Sequence, residues 1–128
     1  MALVPFVPDH LAAIRPPALG PDDVARFRRD YRPVGPAWTL IEGGEVLGCG
    51  GFVVAGGTGR AWVILSQPVR AMPVHRAARR ALRLVQDEFA LRRIEARALS
   101  PFGAARHWLE RLGFRAAGQE GDYEMYVR

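Results

Sequence analysis

The period of the apolar residues changes twice between Ala61 and Leu99, and this constrains the fold more than any other feature of the chain. Ala61-Trp62-Val63-Ile64-Leu65-Ser66 is short, apolar and β-branched, the signature of a buried strand. Pro68 and Pro73 then interrupt the backbone pattern. From Val74 to about Leu91, residues Ala78, Ala81, Leu82, Val85 and Phe89 fall at i, i+3, i+4, i+7 and i+11, one helical stripe. Arg93 to Leu99 alternates polar and apolar, a second strand. Strand, helix and strand of this length make a βαβ unit, which requires two parallel strands and a right-handed crossover. The expected parallel pair is Trp62–Ser66 with Ile94–Leu99.

The start of the Val74–Leu91 helix lacks the usual signals. Met72-Pro73-Val74-His75 offers no Ser, Thr, Asp or Asn to cap the free N–H groups, and no acid stands in the expected first turn. Arg76, Arg79, Arg80 and Arg83 crowd it instead, against the helix dipole, at about 0.3–1 kcal/mol each. Two readings stay open. The arginines form a solvated basic face, or the free N–H groups, dipole and guanidiniums together make an anion site. The other helix starts in the chain carry ordinary capping residues, and that contrast favours the anion site.

Composition narrows the function classes. The 128 residues are 49% hydrophobic and 24% charged, which suits one domain spanning 1–128 with a real core. No apolar run is long enough to span a membrane, and Met1-Ala2-Leu3-Val4-Pro5 lacks the basic start of a signal peptide. A single cysteine, Cys49, points to a reducing cytoplasm. His10, His75 and His107 are in no ligand-spaced pattern, so no metal is expected. The net charge of +5, carried on arginine with no lysine at all, attracts polyanions in general. The aromatics do not interleave with the arginines, and this pattern points away from nucleic acid as a partner.

Taken in order, Leu3–Val7 reads as an edge strand, since Pro5 cannot donate to a central ladder. Pro8–Ile14 follows as a short helix with Asp9 as its cap, and Gly20-Pro21-Asp22-Asp23 opens a second helix that Pro33 stops. Ala37–Ile41 and Val46–Val54 are strands joined by Glu42-Gly43-Gly44-Glu45, which has hairpin chemistry. Gly56-Gly57-Thr58-Gly59 turns the chain into the Trp62 strand. Gly48, Gly50 and Gly51 within a strand indicate a bulge or a close approach to the backbone. Ser100-Pro101 starts a helix with Phe102, Ala105, Leu109 and Leu112 on its buried face and Gly113 as its stop. Phe114–Ala117 and Tyr123–Val127 read as two last strands.

This order of elements, and two stretches in particular, resemble the GNAT N-acetyltransferases. Trp108-Leu109-Glu110-Arg111-Leu112-Gly113-Phe114 is similar to the family's late Tyr-Glu-Lys-Leu-Gly-Phe motif. Trp38-Thr39-Leu40-Ile41-Glu42-Gly43-Gly44-Glu45-Val46-Leu47-Gly48 is similar to its second and third strands. The resemblance covers nearly the whole chain and is nearest to short, divergent GNAT-like proteins of tailed phages and prophages. It implies an α/β fold (α+β in some schemes), a mixed twisted sheet with an antiparallel meander, one parallel βαβ crossover and about four helices. It also implies acetyl-CoA as co-substrate, an amine or protein as acceptor, and room for a homodimer. If the chain is phage-encoded, the host cytoplasm or the virion becomes its location.

The resemblance carries over residue by residue with several differences. The family's loop, Arg/Gln-x-x-Gly-x-Gly/Ala, falls on Val74–Arg79, with Ala77 and Arg79 at its glycine positions. The family's acid Tyr falls on Leu109 and its Asn on Phe102, and the Trp62–Ser66 strand holds no acid. The cofactor-binding set implied is Leu65, Ser66, His75, Arg76, Ala77 and Arg79. No catalytic residue is assigned. His107 suits acid–base work but points away from the buried face, Ser100 is explained as a cap, and Tyr123 and Tyr126 fit packing. Cys49 reads as a small buried residue, and Glu42 and Glu45 as solvated hairpin acids. Three functions follow as expectations: an acetyltransferase, a catalytically silent GNAT-like phage protein, and, on charge alone, a nucleic-acid binder.

Overall fold

Two diglycine turns set the meander. Gly43 and Gly44 have φ of 57° and 79°, and Gly56 and Gly57 repeat those values. Positive φ at both central residues is what a two-residue turn needs to match strand twist, and glycine adopts it without strain. In the computed structural model, which describes residues 2–14, 35–66, 70–99, 103–121 and 123–128, these turns join β2 (Ala37–Glu42), β3 (Glu45–Ala55) and β4 (Thr58–Leu65). The second turn is therefore Gly56-Gly57 alone, not Gly56–Gly59. Thr58 and Gly59 already belong to β4, which starts three residues ahead of the expected Ala61. β1 (Ala2–Pro5) lies at the sheet edge with Pro5 opposite Trp38, as the proline requires.

The mid-strand glycines serve both expected purposes. Leu40 faces Gly48 while Ile41 faces Val46, so Leu47 is an extra residue, a bulge. A Cβ on Gly48 would stand 2.9 Å from the Ile64 carbonyl oxygen and 2.8 Å from Leu65 Cδ2. The bulge thus also lets β3 approach β4 closely.

α1 runs from Ala71 to Phe89, three residues earlier than the expected Val74 start and short of Leu91. Pro73 does not break it: as the third helical residue, its missing N–H is one that no helix pairs. β5 (Arg93–Leu99), α2 (Gly103–Arg111), β6 (Arg115–Glu120) and β7 (Tyr123–Val127) complete the described elements. They form a seven-stranded sheet in the order β1-β2-β3-β4-β5-β7-β6. The parallel pair is β4 with β5, but its register is Thr58↔Arg93, Gly59↔Ile94 and Arg60↔Glu95. The expected pairing of Trp62–Ser66 with Ile94–Leu99 is corrected accordingly, because β4 begins upstream.

Hydrophobic burial divides between the two faces. On one, Phe52, Leu82, Val85, Leu91, Ile94, Leu109, Leu112, Phe114 and Tyr126 form the main core. On the other, Leu11 and Ile14, from and just after the 3₁₀ turn Pro8–Ala13, pack on Cys49 and Ile64. That turn begins at Val7, not at an Asp9 cap. Phe89, placed on the buried stripe by its spacing, is 40% exposed because α1 overhangs the core at its end, while Val74 and Ala77 are buried instead. α2 closes on Gly113 (φ 94°), with Gly113 N–H donating to Glu110 O and Phe114 N–H to Leu109 O, both at 3.0 Å. This double bond pattern satisfies the last carbonyls and folds Phe114 back into the core. The expected helix over 21–32, the Ser100-Pro101 start and Phe102 lie outside the described residues, as does the side chain of Ala105. Among the described residues, no helix is long and apolar enough to cross a membrane.

Candidate functional site

The seam between β4 and β5 changes character along its length. Below, three residue pairs are in register, and Arg92 and Arg93 N–H groups both donate to Gly57 O, at 2.8 and 3.3 Å. Above Arg60 and Glu95 the pairing stops. β4 continues to Leu65 against β3, and β5 continues to Leu99 against β7. The facing edges of residues 61–65 and 96–99 therefore have no strand partner in the sheet. A wedge where two parallel strands part suits a ligand that carries amides.

α1 begins beside the open end of the wedge. Leu65 packs in one cluster with Val74 and Ala77 of that helix. Ser66 anchors the strand end: its N–H donates to Leu47 O at 2.9 Å and its hydroxyl to Val46 O at 2.8 Å. The helix N-cap is Arg70, with no side-chain cap and no acid in the first turn. Val74 N–H donates to Arg70 O at 3.2 Å, and Pro73 has no N–H. The donors left without a partner in the helix ladder are those of Arg70, Ala71 and Met72. His75, Arg76, Ala77 and Arg79 come after the first turn, so their amides enter the helix ladder. The arginines thus do not crowd the first turn, as the sequence suggested; the early helix start moves Arg76, Arg79, Arg80 and Arg83 to the second, third and fourth turns. Ala77 is also buried side-chain inward.

One acid does reach this end. Glu42 Oε2 lies 2.7 Å from Arg70 Nη1, so Glu42 is an ion-pair partner and not merely a solvated hairpin residue. Its approach follows from the diglycine turn, which folds the β2 end toward the helix start. The sequence contains no motif for this pair, since 28 positions separate the partners. Both side chains are substantially exposed, which limits the pair to about 0–1 kcal/mol.

The remaining candidates fall into place. Cys49 is buried, and burial pushes its thiol up from the ordinary range. Its Sγ is 3.5 Å from Thr39 Oγ1, which is 2.6 Å from His10 Nδ1. His10 Nδ1 also accepts from Val7 N–H at 3.3 Å, which ties the 3₁₀ turn to the sheet. This chain of contacts was invisible in the sequence because β-register alone brings Thr39 beside Cys49. His107 is exposed. Tyr126 is fully buried and donates to Glu124; burial and that carboxylate push its phenol up to about 12. Tyr123 is 41% exposed with the Arg97 guanidinium 5.2 Å from its ring centre, a cation–π contact and not a packed core residue.

No family model matches the sequence, and no curated protein matches it. Solved structures do match. The paia N-acetyltransferase of Thermoplasma acidophilum, in complex with coenzyme A, superposes with a TM-score of 0.79 at 5% identity over 99% of this chain and 97% of that one. A GNAT-family acetyltransferase from Bacillus anthracis gives 0.72 at 14% identity, covering 98% and 92%. The Campylobacter jejuni N-acetyltransferase PseH with acetyl coenzyme A gives 0.65 at 8% identity, covering 84% and 77%. At these identities the likeness is one of architecture: the chain has the fold of the GNAT acetyltransferases.

Proposed function

We propose that this protein is an acetyl-CoA-dependent N-acetyltransferase acting on an amine. The observation that carries the reading is the β4·β5 seam, which opens above Arg60 and Glu95 beside an uncapped helix start. Backbone groups of residues 61–65 and 96–99 would hold the amides of pantetheine. The free N–H groups of Ala71 and Met72, at the positive end of α1, would hold its pyrophosphate. Leu65 and Ser66 frame the wedge. His75 and Arg76 follow at the next turn, where Arg76 adds charge. Ala77 supports them from below, while Arg79, about 12 Å beyond Ala71 along the helix axis, stays outside the pyrophosphate's contacts. Bound there, the coenzyme supplies an activated thioester. The amine nitrogen attacks the thioester carbonyl, the C–N bond forms as the C–S bond breaks, and the sulfur leaves with the pair and takes up the proton. No described side chain is assigned the proton transfer.

A second reading is a catalytically silent protein on the same fold, for example a phage or prophage protein with a role in virion assembly or host interaction. Arg79 at the family's second glycine position and Tyr126 committed to Glu124 favour it. Incubation with acetyl-CoA and a broad amine panel separates the two. Free thiol released faster than the blank, with an acetylated amine by mass, supports the enzyme; release no faster than the blank supports the silent protein.

A further inference from the structure

Away from the wedge, the end of α2 meets the middle of α1 in a groove of about 350 Å³ lined by Arg79, Arg83, Arg111 and Arg128 together with Leu82, Leu112 and Gly113. Among the described residues no acid lines it. Glu110 pairs with Arg106 at 3.1 Å, Glu95 with Arg93 at 3.5 Å, and Glu124 accepts from Tyr126, while Asp87 stands one turn beyond Arg83 on α1. Arg128 lies across Gly113, whose hypothetical Cβ would be 3.2 Å from its Nε. Gly113 thus lets the fourth guanidinium close over the α2 end.

Four like charges around one concavity repel one another unless an anion joins them, and guanidinium forks match phosphate oxygens. His75 lies one turn before Arg79 on α1, outside the groove's lining. Among the described residues its Nδ1 has no hydrogen-bond partner. Desolvation, then Arg111 and Arg79, hold its pKa below the ordinary value.

We propose that this groove binds a di- or triphosphate anion, at a site separate from the wedge. Arg79 and Arg83 stand eight and twelve residues beyond Ala71, about 12 and 18 Å along the helix axis. One phosphate spans Arg79 and Arg111, and the next engages Arg83 and Arg128. The phosphate chain could be free or part of a nucleotide, and the test includes both.

The experiment is calorimetric titration with inorganic diphosphate and with a nucleoside triphosphate, with and without excess coenzyme A, each against sodium chloride of equal ionic strength. One site per chain is expected, unaffected by coenzyme A. Arg83→Gln should weaken it about tenfold. Arg60→Gln, the same charge change on β4, should leave it within about twofold. Without ligand, Arg83→Gln should melt no lower than wild type, because one of four like charges is gone. The His75 resonance should titrate at higher pH once diphosphate is bound. A diphosphate response equal to sodium chloride overturns the site, as does equal weakening by Arg60→Gln. Displacement by coenzyme A also overturns it, by making the groove part of the cofactor's own contacts. Should coenzyme A bind nowhere, the cofactor reading falls while the diphosphate titration still decides this one.

Discussion

The lower and upper halves of the β4·β5 seam use the same two strands for opposite ends. In the lower half Gly59 is so close to Leu91 that a Cβ would meet its Cδ1 at 2.7 Å, and Ile94 is 1% exposed. Backbone and side chains there are paired and packed. In the upper half Val63 is 45% exposed, and Met72, at the adjoining helix start, is 59% exposed. One half holds the sheet together, and in the other the two strands part. Stability and binding should therefore be separable by position along one seam.

The largest effect should come from the closed half. Ile94→Ala removes a core side chain and should cost about 2–5 kcal/mol in urea denaturation, with coenzyme A affinity little changed at temperatures where the fold persists. Val63→Trp in the open half should do the reverse. Stability should stay within about 0.5 kcal/mol, while coenzyme A binding falls by at least about tenfold. Equal loss of stability from both would erase the contrast.

Alkali probes the main core on the far side of β5, where Tyr126 of β7 lies opposite Ala96. Tyr126 has its folded pKa raised from 10.0 to about 12, so the folded state holds the phenol proton more tightly than the unfolded state does. Its contribution is complete below pH 10 and disappears as pH rises toward 12. Thermal melts should fall more steeply across that window for wild type than for Tyr126→Phe.

Smaller effects belong to the two ends of α1. Ala90 ends the helix at φ 48°, a left-handed conformation that favours glycine. Ala90→Gly should raise stability by about 1 kcal/mol, measured by denaturant midpoint, without touching binding. Met72→Glu places a carboxylate beside the free N–H groups. It should stabilise the unliganded protein by about 0.3–1 kcal/mol and weaken coenzyme A. Opposite signs from one substitution would mark the helix start as a ligand site.

Much of this was legible in the sequence, and the limits have physical causes. Pattern located β5 to the residue, because alternation there is uninterrupted, and Gly113 announced the end of α2. Pro73 misplaced the start of α1, since the same residue that breaks a helix interior is harmless in the first turn. Three clustered glycines blurred the β3–β4 turn, and a shift of three residues in β4 moved the parallel register with it. The site was legible as a region and not as contacts. Arg70 with Glu42, Thr39 with Cys49, and the four groove arginines are assembled by the sheet and the helix packing, and no local spacing encodes them.

Hydrogen exchange along the seam, with and without coenzyme A, tests the central claim most directly. Amides of 61–65 and 96–99, with Ala71 and Met72, should exchange more slowly on addition of coenzyme A, while 58–60 and 93–95, already paired, stay unchanged. Protection spread evenly over both halves, or absent from the upper half while coenzyme A is bound, would contradict the account.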